Sequence, residues 1–261
     1  MLPVDTTNLY IEDAGSGPAI VLVHGWGSST RVWNAQIADL CTDHRVVAYD
    51  FRGCGRSGRP ATGNTIARNA QDVLDLCASL ELSDPVLVGS SIGAAFALEA
   101  ARRAPDAVAG VVSVDGPGHG PYETMAAELP TLRADLVRDR AATLAALVPG
   151  WYGAAASDAM VQWTIRQILD SSAHIDVLFD DVVAHDPRPG LAELEVPVLL
   201  VHGRDDAATP VAISEQLATV IAQAELLLVD DAGHMPQQEQ PRVVTDAIRA
   251  FAARVQRAPR G

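Results

Sequence analysis

The sequence predicts an α/β fold: a mostly parallel, doubly wound sheet with a helical segment inserted ahead of its last strands. Three observations carry this. Short apolar, β-branched runs alternate with longer helical patterns along the chain. Several of the runs, such as "AIVLVHG" and "VPVLLVHG", are apolar at nearly every residue, which marks strands covered on both faces by helices. Between residues 117 and 192 the alternation stops and only helical patterns remain.

Taken in order, "TNLYIEDAGSGP" reads as an antiparallel strand and turn at a sheet edge. Strands are expected at Ala19–His24, Arg45–Asp50, Pro85–Gly89, Gly110–Asp115, Pro197–His202 and Glu225–Asp230. Helices are expected at Ser29–Cys41, Ile66–Leu80, Ile92–Arg103, Val211–Ile221 and Arg242–Val255. The inserted part reads as three helical stretches: "LPTLRADLVRDRAATLAALVPG", "SDAMVQWTIRQILDS" and "AHIDVLFDDVVAHD". Ser157 or Asp158 can cap the second, with Met160, Trp163, Ile168 and Leu169 on one stripe. A stretch of roughly 75 residues is too long for a structureless loop. The expected organisation is a core of 1–116 and 193–261 with a helical insert at 117–192.

A chain of 261 residues suits one domain carrying such an insert, and 48% apolar with 20% charged residues supplies a sizeable core. The net charge is −14. Such a surface repels phosphate backbones and anionic lipid, which argues against nucleic acid and membrane as partners. The start has no basic segment followed by an apolar core, and no apolar run approaches the ~18 residues of a membrane span. Cys41, Cys54 and Cys77 are scattered, odd in number and without metal-ligand spacing. A cytoplasmic, reduced protein is expected.

The chemistry centres on "DPVLVGSSIGAAFAL", where a good strand is cut short by two serines fenced by glycines. Ser91 has glycine two residues before and two after it; Ser90 does not. Gly-x-Ser-x-Gly between a strand and a helix forces a tight, strained turn that projects the central side chain from the sheet. The helix that follows offers partial positive charge to a developing oxyanion. Ser91 is the expected nucleophile. A serine hydroxyl needs a base, and the base an orienting acid. Asp205 and Asp206 follow one apolar strand in "VLLVHGRDDAATP", and His234 follows the last in "LLLVDDAGHMPQQEQP". Catalytic groups gather at the carboxyl ends of such strands.

With these residues in hand, the sequence resembles an α/β-hydrolase of the cap-bearing esterase and lactonase type. "LVHGWGSSTRVW" is similar to the family's His-Gly loop, "YDFRGCGRSGRP" to its Asp-x-Arg-Gly-x-Gly-x-Ser turn, and "GSSIG" to its nucleophile elbow. "GRDDAATP" resembles the acid loop, in which the carboxylate sits three after the glycine and four before a proline, selecting Asp206 over Asp205. "DAGHMPQQEQP" matches the histidine loop. The resemblance implies that Ser91 attacks an acyl carbonyl, His234 carries the proton and Asp206 holds the imidazole. It further implies an oxyanion hole from the backbone N–H groups of Trp26 and Ile92, and no metal or other cofactor.

Other residues have blander readings. His24 is expected to hold the oxyanion loop, and Asp50 and Arg52 to pin their turn by local bonding. Asp115 is an alternative acid or a pocket residue. Trp26, Trp151, Tyr152, Trp163 and Met235 are candidates for the pocket wall. His119, in the glycine-rich "DGPGHGPYE", reads as loop punctuation, and Asp181 and His185, four apart, as a helix face and not a metal pair. "FRGCGRSG" lacks an acidic ribose reader, so nucleotide binding is excluded.

Serine at 91 counts against dehalogenases and epoxide hydrolases, whose nucleophile is aspartate. Met235 after the histidine counts against carbon–carbon hydrolases, which often carry tryptophan there. Perhydrolases share the triad but usually lack a large insert. The expected function is hydrolysis of a small-molecule carboxylic ester or lactone; the alternatives are a ligand-binding or signalling protein of the same fold with slow turnover, or a perhydrolase or carbon–carbon hydrolase using the same triad.

Overall fold

A computed structural model describes residues 1–4, 7–116, 123–184 and 188–256. Eight strands form one sheet in the order β1-β2-β4-β3-β5-β6-β7-β8. An edge hairpin, β1 (Leu2–Val4) and β2 (Thr7–Gly15), is antiparallel and continues antiparallel onto β4 (Arg45–Asp50). The others run parallel: β3 (Ala19–Val23), β5 (Val86–Ser90), β6 (Gly110–Val114), β7 (Val198–Gly203) and β8 (Ala224–Val229). Every residue of β3, β5, β6 and β7 is buried, as their unbroken apolar runs require. The last strand, β8, lies at the sheet edge and is only half-buried despite an equally apolar sequence. The three-residue β1 is too short to leave a pattern in the sequence.

Helices α1 (Asn34–Leu40), α2 (Ile66–Ser79) and α3 (Ile92–Arg103) follow β3, β4 and β5. Between β6 and β7 come α4 (Glu123–Leu147), α5 (Asp158–Leu169), α6 (Leu178–Ala184) and α7 (Arg188–Ala192). Then α8 (Ala212–Val220) joins β7 to β8, and α9 (Pro236–Glu239) and α10 (Pro241–Val255) close the chain. On the sheet, α2 packs with α3 and α1 with α10. The alanines of α3, buried from Ala94 to Ala101, let that helix lie close over β5 and β6. The continuous helix expected over Ser29–Cys41 instead opens as a 3₁₀ turn, Thr30–Trp33, whose first N–H is drawn off to Asp50 Oδ1 at 2.7 Å.

Between β6 and β7 the local sequence explains the breaks. Asp139 leaves helical geometry inside α4 (φ −154, ψ 86), and its Oδ1 accepts from Ala142 N at 3.0 Å, restarting the helix as an N-cap. Ser157 caps α5 by accepting from Met160 N. The expected stripe on α5 needs correction: Thr164, Ile165 and Ile168 are buried, whereas Leu169 is 42% exposed. Thr164 turns inward because its hydroxyl meets that of Tyr152 at 2.5 Å, so a polar residue stands on the buried face.

The sheet order places β3 between β4 and β5, so the chain winds outward from β3 in both directions. A crevice opens at the carboxyl ends of the strands where winding reverses. That crevice holds the site.

Candidate active site

Between β5 and α3 a single residue makes the turn. Ser91 has φ +53 and ψ −124, a conformation side chains rarely adopt, and its N–H donates to Val114 O at 2.8 Å. The flanking glycines are required by space. A Cβ on Gly89 would lie 2.3 Å from Gly93 O, and one on Gly93 would lie 2.5 Å from His24 O. The other serine is spent structurally: Ser90 is buried and its Oγ accepts from Gln237 Nε2 at 3.2 Å.

Two more strand ends converge on Ser91. Beyond β7, Asp206 Oδ1 accepts from the N–H groups of Ala208 and Thr209, each at 2.8 Å, which fixes the carboxylate. Its Oδ2 accepts from His234 Nδ1 at 2.7 Å, and His234 Nε2 lies 3.1 Å from Ser91 Oγ. Asp205, the alternative, is exposed. Burial works against ionising Asp206, but the charge of His234, the nearby His202 (Nε2 at 3.4 Å) and the hydrogen bonds from His234 and Thr209 outweigh it and lower its pKa. For His234 burial disfavours the cation, and the Asp206 carboxylate more than compensates, so its pKa is raised. An ionised acid beside a strengthened base is the arrangement that proton abstraction needs.

Behind this relay lie Asp115 and His202, both fully buried. Asp115 Oδ1 accepts from Gly203 N at 2.8 Å, and burial pushes its carboxyl up to about 7. It does not line the cavity, contrary to its expectation as a pocket residue; its bond to Gly203 holds the end of β7. The sequence marks His202 only as a histidine that ends an apolar strand. Its Nε2 donates to Thr209 O and its Nδ1 accepts from Ser214 Oγ, both at 2.7 Å. Asp115, His202 and Asp206 lie close enough together to surround a cation, but both His202 nitrogens are already committed.

A second residue of this kind is Glu239. Its Oε1 accepts from Gly233 N (2.9 Å) and Met235 N (3.3 Å), and its Oε2 from Gly153 N (2.7 Å). One carboxylate thereby joins the histidine loop to the segment before α5. The same seam carries a 2.6 Å bond from His234 N to Trp151 O, and a Cβ on Gly233 would lie 2.6 Å from that oxygen.

Beneath the helices, Ser91 and His234 open onto a cavity of about 310 Å³. Trp26, Trp151 and Met235 line it, together with Leu129, Leu132, Leu147, Ile168 and Phe179 from the helical segment. A recess of about 70 Å³ adjoins Ser91 on the side of Ile92 and Leu178. Tyr152 and Trp163 do not line the cavity. Tyr152 is buried with its hydroxyl held by Thr164 and Gln238, and Trp163 faces a separate cleft. Among the described residues, neither Trp26 N–H nor Ile92 N–H is taken by an acceptor.

The structural residues divide similarly. His24 is buried, stacked on Phe51 at 4.4 Å, and bridges Phe51 N and Gly25 O. Asp50 accepts from Thr30 N and Arg56 N, whereas Arg52 reaches past its own turn to Asp72 in a two-bond pair at 2.6 and 2.8 Å. Asp181 Oδ2 accepts from Ile66 N, capping α2. His119 and His185 lie outside the described residues.

A profile of the alpha/beta hydrolase fold matches residues 18–241. The chain belongs to the α/β-hydrolase fold family. Among curated members of this family, the non-heme chloroperoxidase of Streptomyces lividans is 30% identical over 269 residues, covering 95% of this chain and 96% of that protein. Among solved α/β-hydrolases, a thermophilic esterase from Thermogutta terrifontis superposes with TM-score 0.87 at 28% identity, covering 95% of this chain and 93% of that one. The N-acyl homoserine lactone degrading enzyme Est816 superposes with TM-score 0.86 at 28% identity, covering 95% and 98%. No helix among the described residues is long and apolar enough to cross a membrane.

Proposed function

We propose that this α/β-hydrolase is a serine hydrolase that cleaves a carboxylic ester or lactone through an acyl-enzyme. Ser91 is the nucleophile, His234 the general base and acid, and Asp206 the orienting carboxylate. The N–H groups of Trp26 and Ile92 receive the oxyanion, and helices α4 to α7 form a cap over the strand ends. The observation that carries this reading is the relay Asp206–His234–Ser91, with spacings of 2.7 and 3.1 Å, opening onto an apolar cavity.

Attack of Ser91 Oγ on the carbonyl passes its proton to His234 Nε2. The carbonyl electrons collect on oxygen, where each well-placed N–H is worth about 3 kcal/mol. Collapse expels the alcohol, which takes the proton from His234; water then repeats the sequence and releases the acid. Apolar walls favour a small to medium acyl or lactone substrate, and the small recess beside Ser91 suits a short group. The esterase and lactone-degrading relatives support this class. The chloroperoxidase relative supports a second reading, in which hydrogen peroxide replaces water at the acyl-enzyme and yields a peracid.

Labelling by a fluorophosphonate, absent in Ser91→Ala, with repeated turnover of nitrophenyl esters of graded acyl length, is the expected result. Added peroxide with a carboxylic acid and bromide then distinguishes peracid formation. A folded protein that neither labels nor turns over would favour the ligand-binding alternative.

A further inference from the structure

The sequence contains no lysine; all of its basic charge in Lys+Arg is arginine. Among the arginines whose side chains are described, every one is paired with a carboxylate except Arg31 and Arg166. In a chain of net charge −14, leaving two guanidiniums without a counter-charge is unusual, and both face the same place. They line a cleft of about 310 Å³ on the other side of α5 from the Ser91 cavity.

The division between the two cavities is built into α5. Thr164 and Ile168 face the Ser91 cavity, while Trp163, Arg166 and Gln167 face the cleft. The loop after β3 closes the seam: Ser29 Oγ donates to Gln167 Oε1 at 2.5 Å, and Gly27 sits so close that a Cβ would meet Ile168 at 2.7 Å. Ser28 borders both spaces.

The acids of the cleft are already matched. Asp50 accepts from Thr30 N and Arg56 N, and Asp170 faces Arg59 at 3.5 Å. Arg56 is held by Glu12 at 2.6 Å and lies over the Tyr10 ring. What remains is donors. Ser28 is only 6% exposed and its Oγ has no partner, and Gln167 Nε2 is likewise buried and unpartnered. Two free guanidiniums, a hydroxyl and an amide N–H, flanked by the ring of Trp163, suit an anionic oxygen group attached to an organic body.

We infer that this cleft binds the carboxylate or phosphate group of a small molecule through Arg31 and Arg166. The inference goes beyond the proposed ester chemistry and does not need it. The group belongs either to the remote end of the substrate, reaching past Ser28, or to a separate anion.

Calorimetric titration of the whole protein at low ionic strength, with succinate and with inorganic phosphate as probes, reads the cleft whether or not any ester turns over. One bound equivalent is expected for at least one probe. Affinity should fall about tenfold in Arg31→Gln and again in Arg166→Gln, and remain unchanged in Ser91→Ala. Both arginines are exposed and unpaired, so the variants should melt with the parent. No binding of either probe, or undiminished binding in the double variant, overturns the inference. A kinetic arm then assigns the source. A KM raised about tenfold in the double variant for half-esters of dicarboxylic acids, but not for neutral esters, marks the substrate's own carboxylate. A rate on neutral esters that responds to succinate only in the parent marks a separate anion.

Discussion

The strand-end loops and the helices between β6 and β7 enclose the same cavity but are fixed by different means. At the strand ends, position is set by backbone: Ser91 at φ +53, Gly89 and Gly93 with no room for a Cβ, Asp206 held by two N–H groups. Across the cavity, position is set by side chains that could be exchanged for others of similar bulk, such as Leu129, Leu132 and Phe179. Reactive atoms need tolerances of a fraction of an ångström, and a pocket wall does not. The comparison therefore predicts a graded series of damage.

The largest effect falls on the relay itself. Asp206→Asn should leave the fold intact and lower kcat by about 10⁴-fold, because the amide cannot hold the right imidazole tautomer. Asp115→Asn should retain activity within a few-fold; steady-state kinetics on one ester compares the two, and the reverse ranking would move the acid to β6. Next comes Gly93→Ala, whose methyl would meet His24 O at 2.5 Å and Val23 O at 2.6 Å, both backbone atoms that cannot step aside. A loss of about 1–3 kcal/mol or more is expected in denaturant unfolding. If the variant is as stable as its parent, the elbow is not backbone-limited.

Glu239→Gln tests the join between the two regions. An amide nitrogen would face an N–H group where a carboxylate oxygen now accepts, either at Gly153 or at Gly233 and Met235. Leaving such donors unpaired costs about 1–3 kcal/mol. Because His234 sits between two of those N–H groups, kcat per folded molecule, with the folded fraction read by circular dichroism, should fall about tenfold with KM little changed; a purely structural role would lower only the folded fraction. The smallest effect belongs to the wall. Leu132→Ala should leave kcat on short esters alone and shift acyl-length preference by about tenfold toward longer chains, measured as kcat/KM across a nitrophenyl series.

The same contrast explains what the sequence discloses. Gly-x-Ser-x-Gly at Ser91, the spacing of Asp206 within its loop and the placement of His234 after the last strand are legible because backbone geometry restricts the residue type. The central strands are legible for a related reason, since burial on both faces demands unbroken apolar runs. The pocket wall is less so. Trp151 reaches the cavity, yet its neighbour Tyr152 turns into the seam and Trp163 into the outer cleft. Nothing in their spacing reveals which neighbour each helix face will meet. Leu169 is exposed for the same reason: the buried face of α5 includes Thr164, whose partner Tyr152 lies 12 residues upstream. Glu239 and His202 are missed because their roles come from the atoms that they bind, Glu239 across 86 residues to Gly153 and His202 to Thr209 and Ser214. Single residues of common type leave no such imprint.

The join at Trp151, Gly153 and Glu239 also bears on how this chain could be recombined with its relatives. Exchanging the helices of two such proteins is an obvious route to new substrate ranges, and the junctions suggested by strand and helix boundaries lie before α4 and after α7. Here a crossover at those points would bring in a foreign residue opposite Gly233 and a foreign carbonyl opposite His234 N. The transplant would carry its own walls but mis-seat His234. A chimera that keeps residues 151–153 with 233–239 from one parent preserves that inheritance, and leaves the remaining helices free to vary.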